Sequence, residues 1–284
     1  MVATFVIFLR EGIEASMIVA ILLAYLAKID QRRHFADVFA GVGVAMLLAA
    51  GGGIAAYFTI KTYAGSRVQT IFETCTYILA AAVLTYMTFW MRKHSRTMSA
   101  ELRARTHSAL SGGARRGLFL LAFQAVGREG LETVVFTLAI VFSTSTKGAL
   151  AGGGIGLAAA LAVAFAIYRL GKQVNIAVFF KVVGALLMVF AAGLLVDAVE
   201  NLQELGWLPM VAHPLWNSGH LLSEDSAFGD VVHSFFGYVS QPNVLEVVIW
   251  VAYIALAVTA FLGLWSRLVR HPSPVPVEAR SRKA

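Results

Sequence analysis

The sequence predicts an all-α polytopic membrane protein with seven transmembrane helices, arranged as an inverted 3+3 repeat plus one extra helix. Three observations predict it. The chain is 58% hydrophobic and 14% charged, and its mean hydropathy of +0.74 lies well above that of soluble domains. Its apolar residues gather in stretches of about 20 or more, long enough to cross a hydrocarbon core of about 30 Å as helices. One charged pentapeptide occurs twice inside such stretches, as Arg10-Glu11-Gly12-Ile13-Glu14 and as Arg128-Glu129-Gly130-Leu131-Glu132.

The stretches cover residues 2–27, 36–60, 68–91, 117–142, 148–170, 176–199 and 244–268. Arg10 and Glu11 interrupt the first, so it does not read as a cleaved leader. Lys and Arg concentrate in alternate connections, as they do on the cytoplasmic side of membrane proteins. Seventeen fall on one side, from Lys28, Arg32 and Arg33 through residues 92–116, Arg169 and Lys172 to the C-terminal residues. Only Lys61, Arg67 and Lys147 fall on the other, while Arg10, Arg128 and Lys181 lie inside the stretches. This bias places the N-terminus outside and the C-terminus in the cytoplasm of a cell bounded by an inner (cytoplasmic) membrane. An odd number of spans is required, in agreement with seven.

Residues 1–270 therefore read as a single membrane domain: repeat one over 2–91, repeat two over 117–199, an external loop over 200–243 and a seventh helix over 244–268. Residues 271–284, with Pro272, Pro274 and Pro276, read as a disordered cytoplasmic tail. The external loop carries Glu204, Glu224, Asp225 and Asp230 but no Lys or Arg. It is either a solvated connector or a surface that attracts cations or docks a partner.

Several function classes are excluded on composition. The net charge of +7 does not indicate a nucleic-acid partner, because the basic residues sit between apolar runs rather than on one folded polar face. Cys75 is the sole cysteine, which rules out a disulfide framework or a thiolate metal cluster. The glycine-rich pattern that cradles ATP phosphates is absent, so transport would draw on gradients or an external redox step.

With the stated topology the first motif lies in a helix running inward and the fourth stretch, which carries the second, runs outward. Inverted repeats of this kind place a substrate site near the bilayer midplane, where corresponding helices meet. Glycine runs at 51–53 and 152–154, and Phe72-Glu73 against Phe180-Lys181, are weaker correspondences between the halves.

Residues three apart share a helix face, so Glu11 and Glu14 point the same way, as do Glu129 and Glu132. A charge at mid-membrane costs roughly 2.5–3.5 kcal/mol on insertion scales, so these carboxylates must face the bundle interior, where the two pairs can build one oxygen-rich cation site. Metal binding displaces protons from such ligands, which makes pH dependence an expectation. Arg10 and Arg128 stand four residues before Glu14 and Glu132, at salt-bridge spacing, and so can hold a carboxylate ionised and aimed. Gly12 and Gly130 permit close helix approach. The competing reading is a pair of self-neutralising Arg-Glu motifs that only stabilise the bundle; the surplus glutamate in each copy argues against it.

Glu73 reads either as an entry ligand or as an interfacial carboxylate. Lys181 reads as a cation-repelling or glutamate-pairing group, or as a snorkelling side chain. Asp197 and Glu200 read as interfacial charges, and Met87 and Met91 as packing. Oxygen ligands suit magnesium, calcium, manganese or iron without choosing among them. Di-iron enzymes use Glu-x-x-His motifs that these stretches lack, which argues against an enzyme.

At these motifs the sequence resembles the high-affinity iron permease family, found in fungi beside multicopper oxidases and in bacteria as the membrane component of Efe-type uptake systems. The resemblance extends to Phe72-Glu73, Leu84-Thr85-Tyr86-Met87, Phe89-Trp90-Met91 and Ala191-Ala192-Gly193-Leu194. In the external loop it includes Leu202-Gln203-Glu204-Leu205-Gly206-Trp207-Leu208-Pro209 and Ser223-Glu224-Asp225-Ser226. It implies seven spans and iron import, with Glu11, Glu14, Glu129 and Glu132 as iron ligands, Arg10 and Arg128 as motif members and Glu73 as a further family carboxylate. Iron enters as the transported substrate, and no cofactor is implied. Gln69 departs from the family, where an acidic residue is common, which puts an outer two-carboxylate site in doubt. Family members work with a periplasmic or extracellular oxidase or iron-binding protein, so such a partner is implied alongside the lipid bilayer. Another divalent ion such as lead or manganese is the alternative cargo; a metal sensor or receptor without transport is the alternative of another class.

Overall fold

No proline occurs before Pro209, so nothing in the first three-quarters of the chain interrupts helical hydrogen bonding, and the apolar runs satisfy their backbone groups internally as lipid requires. The structure, a computed structural model, describes residues 1–94, 97–111, 113–143, 146–170, 176–210, 214–223 and 226–261. Among these residues there is no strand. The helices are α1 (Val2–Lys28), α2 (Phe35–Lys61), α3 (Arg67–His94), α4 (Met98–Ser111), α5 (Ala114–Ser143), α6 (Thr146–Leu170), α7 (Ile176–Glu204), α8 (Ala227–Phe236) and α9 (Val244–Phe261). The end of the seventh stretch (262–268), the tail at 271–284 and Glu224 and Asp225 lie outside the described residues.

Helices α2, α3, α6 and α7 are long and apolar enough to cross a membrane, and α9 is a shorter apolar helix. Helices α1 and α5, of 27 and 30 residues, are as long, but each carries an arginine and two glutamates near its middle. The chain is a helical, multi-pass membrane protein. Exposed side chains such as Leu47, Leu48, Phe58, Leu150 and Phe165 form the apolar outer surface that lipid demands.

The most extensively packed helix pairs are α1 with α6, α2 with α5, and α3 with α7. Small residues set the first two contacts. A Cβ added to Gly12 would lie 2.6 Å from the Cβ of Ala160 on α6, and one added to Gly130 would lie 2.8 Å from that of Ala49 on α2. The motif glycines thus perform the same task in both helices, letting each motif helix press against a partner.

The buried apolar residues form two clusters. One contains Ala3, Ile7, Leu84, Phe136, Ile140 and Phe190; the other contains Ile18, Leu22, Leu26, Val38, Leu102 and Leu118. Along α1 and along α5, the charged motifs fall between the two.

Two helices were not foreseen in the sequence. Helix α4 lies in the basic connection after α3 and packs on α5 and α1. Helix α8 lies in the connection between α7 and α9, started by Ser226, whose hydroxyl accepts from Gly229 N–H, and ended by Gly237 at φ 68°. Its C-terminus rests directly on α7 because neither Gly193 nor Gly237 has a side chain; a Cβ on Gly193 would lie 2.8 Å from the Gly237 nitrogen. Phe235 of α8 stacks near Phe190, with ring centroids 6.3 Å apart. This part of the loop is a packed cap rather than a solvated connector. The loop then enters α9 through a reciprocal cap in which Asn243 Oδ1 accepts from Glu246 N–H and Glu246 Oε2 accepts from Asn243 N–H.

The Gly12 contact gives a direct test. Gly12→Ala should lower unfolding stability by about 1–3 kcal/mol through overpacking, measured by thermal melts in detergent, and the double variant Gly12→Ala/Ala160→Gly should recover most of the loss.

Candidate metal centre

The periodicity of α1 turns Ile7, Glu11, Glu14 and Ile18 inward together, and all four are buried. Helix α5 supplies Glu129 from the facing side. Ligand oxygens of Glu11, Glu14 and Glu129 all lie within 4.8 Å of one another, and the three residues are only 3%, 3% and 6% exposed. Carboxylates held this closely in an apolar interior repel one another unless a proton or a metal cation joins them.

Two arginines offset part of that charge, in different ways. Arg10, 2% exposed, bridges its own motif: Nη1 donates to Glu11 Oε1 at 2.9 Å, Nε lies 3.1 Å from Glu14 Oε1, and Nη2 donates to Met87 Sδ at 3.7 Å. Arg128 is nearly half exposed; its Nε donates to Glu132 Oε1 at 2.9 Å and its guanidinium stands 4.9 Å from the centre of the Trp90 ring, in cation–π range. The motifs are equivalent in sequence and inequivalent in space.

After these pairings, Oε2 of Glu11, Glu129 and Glu132 is buried without a hydrogen-bond donor, and Glu14 Oε1 has its ion pair but no hydrogen bond. Buried acceptors left in this state are costly. The donor set is oxygen-only, suited to a hard or borderline cation, and the unsatisfied atoms are the ones such an ion would take.

The sequence-predicted residues separate clearly. Glu11, Glu14 and Glu129 meet in one cluster; Glu132 is beside it, held by Arg128 and interacting electrostatically with Glu11 and Glu14. Glu73 does not join it. This residue is half-buried further along α3, where Gln69 Nε2 donates to its Oε1 at 2.6 Å while Gln69 Oε1 accepts from Gly65 N–H. The Gln69 amide thus supports one carboxylate instead of adding a second. Lys181 is exposed on α7, consistent with a snorkelling side chain. Asp197, read from sequence as interfacial, is buried, with His233 Nε2 at 4.0 Å from Oδ1; the helix α8 that covers it was not visible in the sequence.

Two residues at the site were missed as participants. Met87 was read as packing and is the sulfur acceptor for Arg10; Trp90 is the platform for Arg128. Both lie on α3, and their spacing of three residues was the available signal.

Long helices of a membrane protein thus converge on buried carboxylates from two copies of one motif, a set of oxygens that could hold a cation inside the bundle. Comparison with known proteins gives the family: residues 1–268 match the iron permease FTR1 family, and the chain belongs to it. It is 34% identical over 264 residues to the ferrous iron permease EfeU of Escherichia coli O6:H1, covering 92% of this chain and 95% of that one. It is likewise 34% identical over 263 residues to the ferrous iron permease EfeU of Yersinia pestis, covering 92% and 93%. A relative from Escherichia coli K12, also 34% identical, is named a putative inactive ferrous iron permease EfeU. No solved structure matches the chain.

The asymmetry between the arginines predicts unequal stability losses. Arg10→Ala leaves two buried carboxylates without their cation and should cost about 3–5 kcal/mol, whereas Arg128→Ala, at a partly solvated position, should cost about 1 kcal/mol or less. Chemical unfolding of the two purified variants in detergent checks the order.

Proposed function

We propose that this chain imports iron, as the ferrous ion, across the cytoplasmic membrane, and that Glu11, Glu14 and Glu129, with Glu132 at the edge, bind the ion in transit. The observation that carries this reading is the buried carboxylate cluster with unsatisfied oxygens in a chain of the iron permease family. Charge favours the divalent state. With all groups ionised, four carboxylates and two guanidiniums leave two negative charges, which one divalent cation neutralises. The relatives' names, ferrous iron permease, point the same way.

Seven spans in an inverted 3+3 repeat supply the transport cycle. Supporting the repeat, α1 packs on α6 while α5 packs on α2, and α3 pairs with α7, a pattern unchanged when the halves are exchanged. The apolar clusters on either side of the carboxylates act as two barriers. Loosening one at a time admits the ion from one side and releases it to the other. Seventeen against three basic residues support a cytoplasmic end with α4 and an outer side with the α8 cap. Glu73, half-buried on α3, serves as an outer ligand on the approach. An external iron-binding protein delivers the ion to the α8 side.

Radioiron uptake by proteoliposomes at fixed pH, with iron kept reduced or oxidised, tests the proposal. The parent should take up reduced iron. At equal protein abundance Glu11→Gln, Glu14→Gln and Glu129→Gln should each lower uptake by on the order of tenfold or more, and Glu73→Gln by less. Undiminished uptake in the first three variants would sink the site; stronger competition by manganese or lead than by unlabelled ferrous iron would reassign the cargo. For orientation, a periplasm-active reporter fused after residue 28 should be silent and one fused after residue 61 active.

A further inference from the structure

We propose that the groove between α1, α4 and α6 binds one anionic phospholipid, its acyl chain along α1 and its headgroup phosphate on Lys28 and Arg103. The groove is a cavity of about 530 Å³. Along α1 it is lined by Ile13, Met17, Ala20, Ile21 and Ala24, with Ala164 of α6 forming part of the other wall. These α1 positions recur at three- and four-residue steps and make one stripe, which borders the face that turns Glu11 and Glu14 into the bundle, Ile21 lying two turns beyond Glu14. From Ile13 to Lys28 this face runs about 22 Å, which exceeds the half-thickness of a hydrocarbon core about 30 Å deep. One leaflet's acyl chain therefore fits along its length. Ser16 interrupts an otherwise apolar lining until Tyr25 near the mouth.

The mouth decides the ligand. Lys28 ends α1, and Arg103 reaches it from α4. A second cavity of about 400 Å³ shares Tyr25 and Ile29 and adds Arg33 and His107. Basic residues thus surround an apolar slot at the end of a membrane helix, the arrangement that recognises anionic lipid headgroups. No Asp or Glu lines either cavity among the described residues. The same charge argues against an exit route for a metal ion, since a cation leaving through this slot would meet Lys28 and Arg103 and no carboxylate. Lipid binding depends on α1 crossing the bilayer and not on which ion the carboxylates carry, so it stands or falls independently of iron transport.

Native mass spectrometry of the detergent-purified full chain, titrated with phosphatidylglycerol or with phosphatidylcholine, tests it. The parent should retain phosphatidylglycerol over phosphatidylcholine by on the order of tenfold. Lys28→Gln/Arg103→Gln should remove that preference, while Arg105→Gln, exposed on the same helix and paired with Glu101, should keep it. Ala24→Phe, which fills the slot and leaves the cations in place, should reduce retention of both lipids with unchanged helicity by circular dichroism. Equal retention of the two lipids by the parent, equal loss in Arg105→Gln, or a dimer that excludes lipid from this face would overturn the proposal.

Discussion

Everything in this fold answers to the burial of like charges. Glu11, Glu14 and Glu129 form one buried cluster in which ligand oxygens lie within 4.8 Å of one another, in a region where each charge is expensive. Arg10 supports the arrangement from inside: it is almost fully buried and bridges both glutamates of its own motif. Apolar clusters above and below keep water out and strengthen every interaction in the layer. A layer so built is tense by construction, and its unsatisfied oxygens are what the proposed ion would take up.

The geometry around the charged layer follows from small residues. The motif places a glycine directly after its first glutamate, and at both copies that glycine meets an alanine of another helix at a distance that a side chain would close off. Chemistry and packing are therefore encoded in the same five residues. Such economy explains why the motif helices can carry three charges each and still lie inside a tightly packed bundle. At the far end, the Gly193–Gly237 contact plays the same part for α8, fastening that cap to the helix that packs against α3.

Much of this was legible from the residues. The apolar stretches fall on long helices because stretch length and the absence of proline leave few alternatives, and the i, i+3 spacing of Glu11 and Glu14 fixes a shared face. The pairing of Arg10 with Glu14 and of Arg128 with Glu132 follows from four-residue spacing in the same way. Helix α4 escaped notice because its residues alternate charge and small side chains without a clear apolar face. Helix α8 escaped because an acidic loop masks a short run whose apolar side is needed only against α7. The burial of Asp197 came with it, since an acid at a helix end is exposed or covered according to what lies above it.

The sequence by itself determined which long apolar helices form, which residues carry charge, and which charges share a face, since each of these depends on spacing along one chain segment. Only the tertiary structure decided that Glu129 completes a cluster with Glu11 and Glu14 while Glu132 stays at its edge. It alone made Arg10 a buried bridge and Arg128 a half-exposed group on Trp90. Two identical motifs acquire different roles because their surroundings come from α3, whose Met87 faces one arginine and Trp90 the other. No local spacing can encode which side of a distant helix a motif will meet; helix packing settles that.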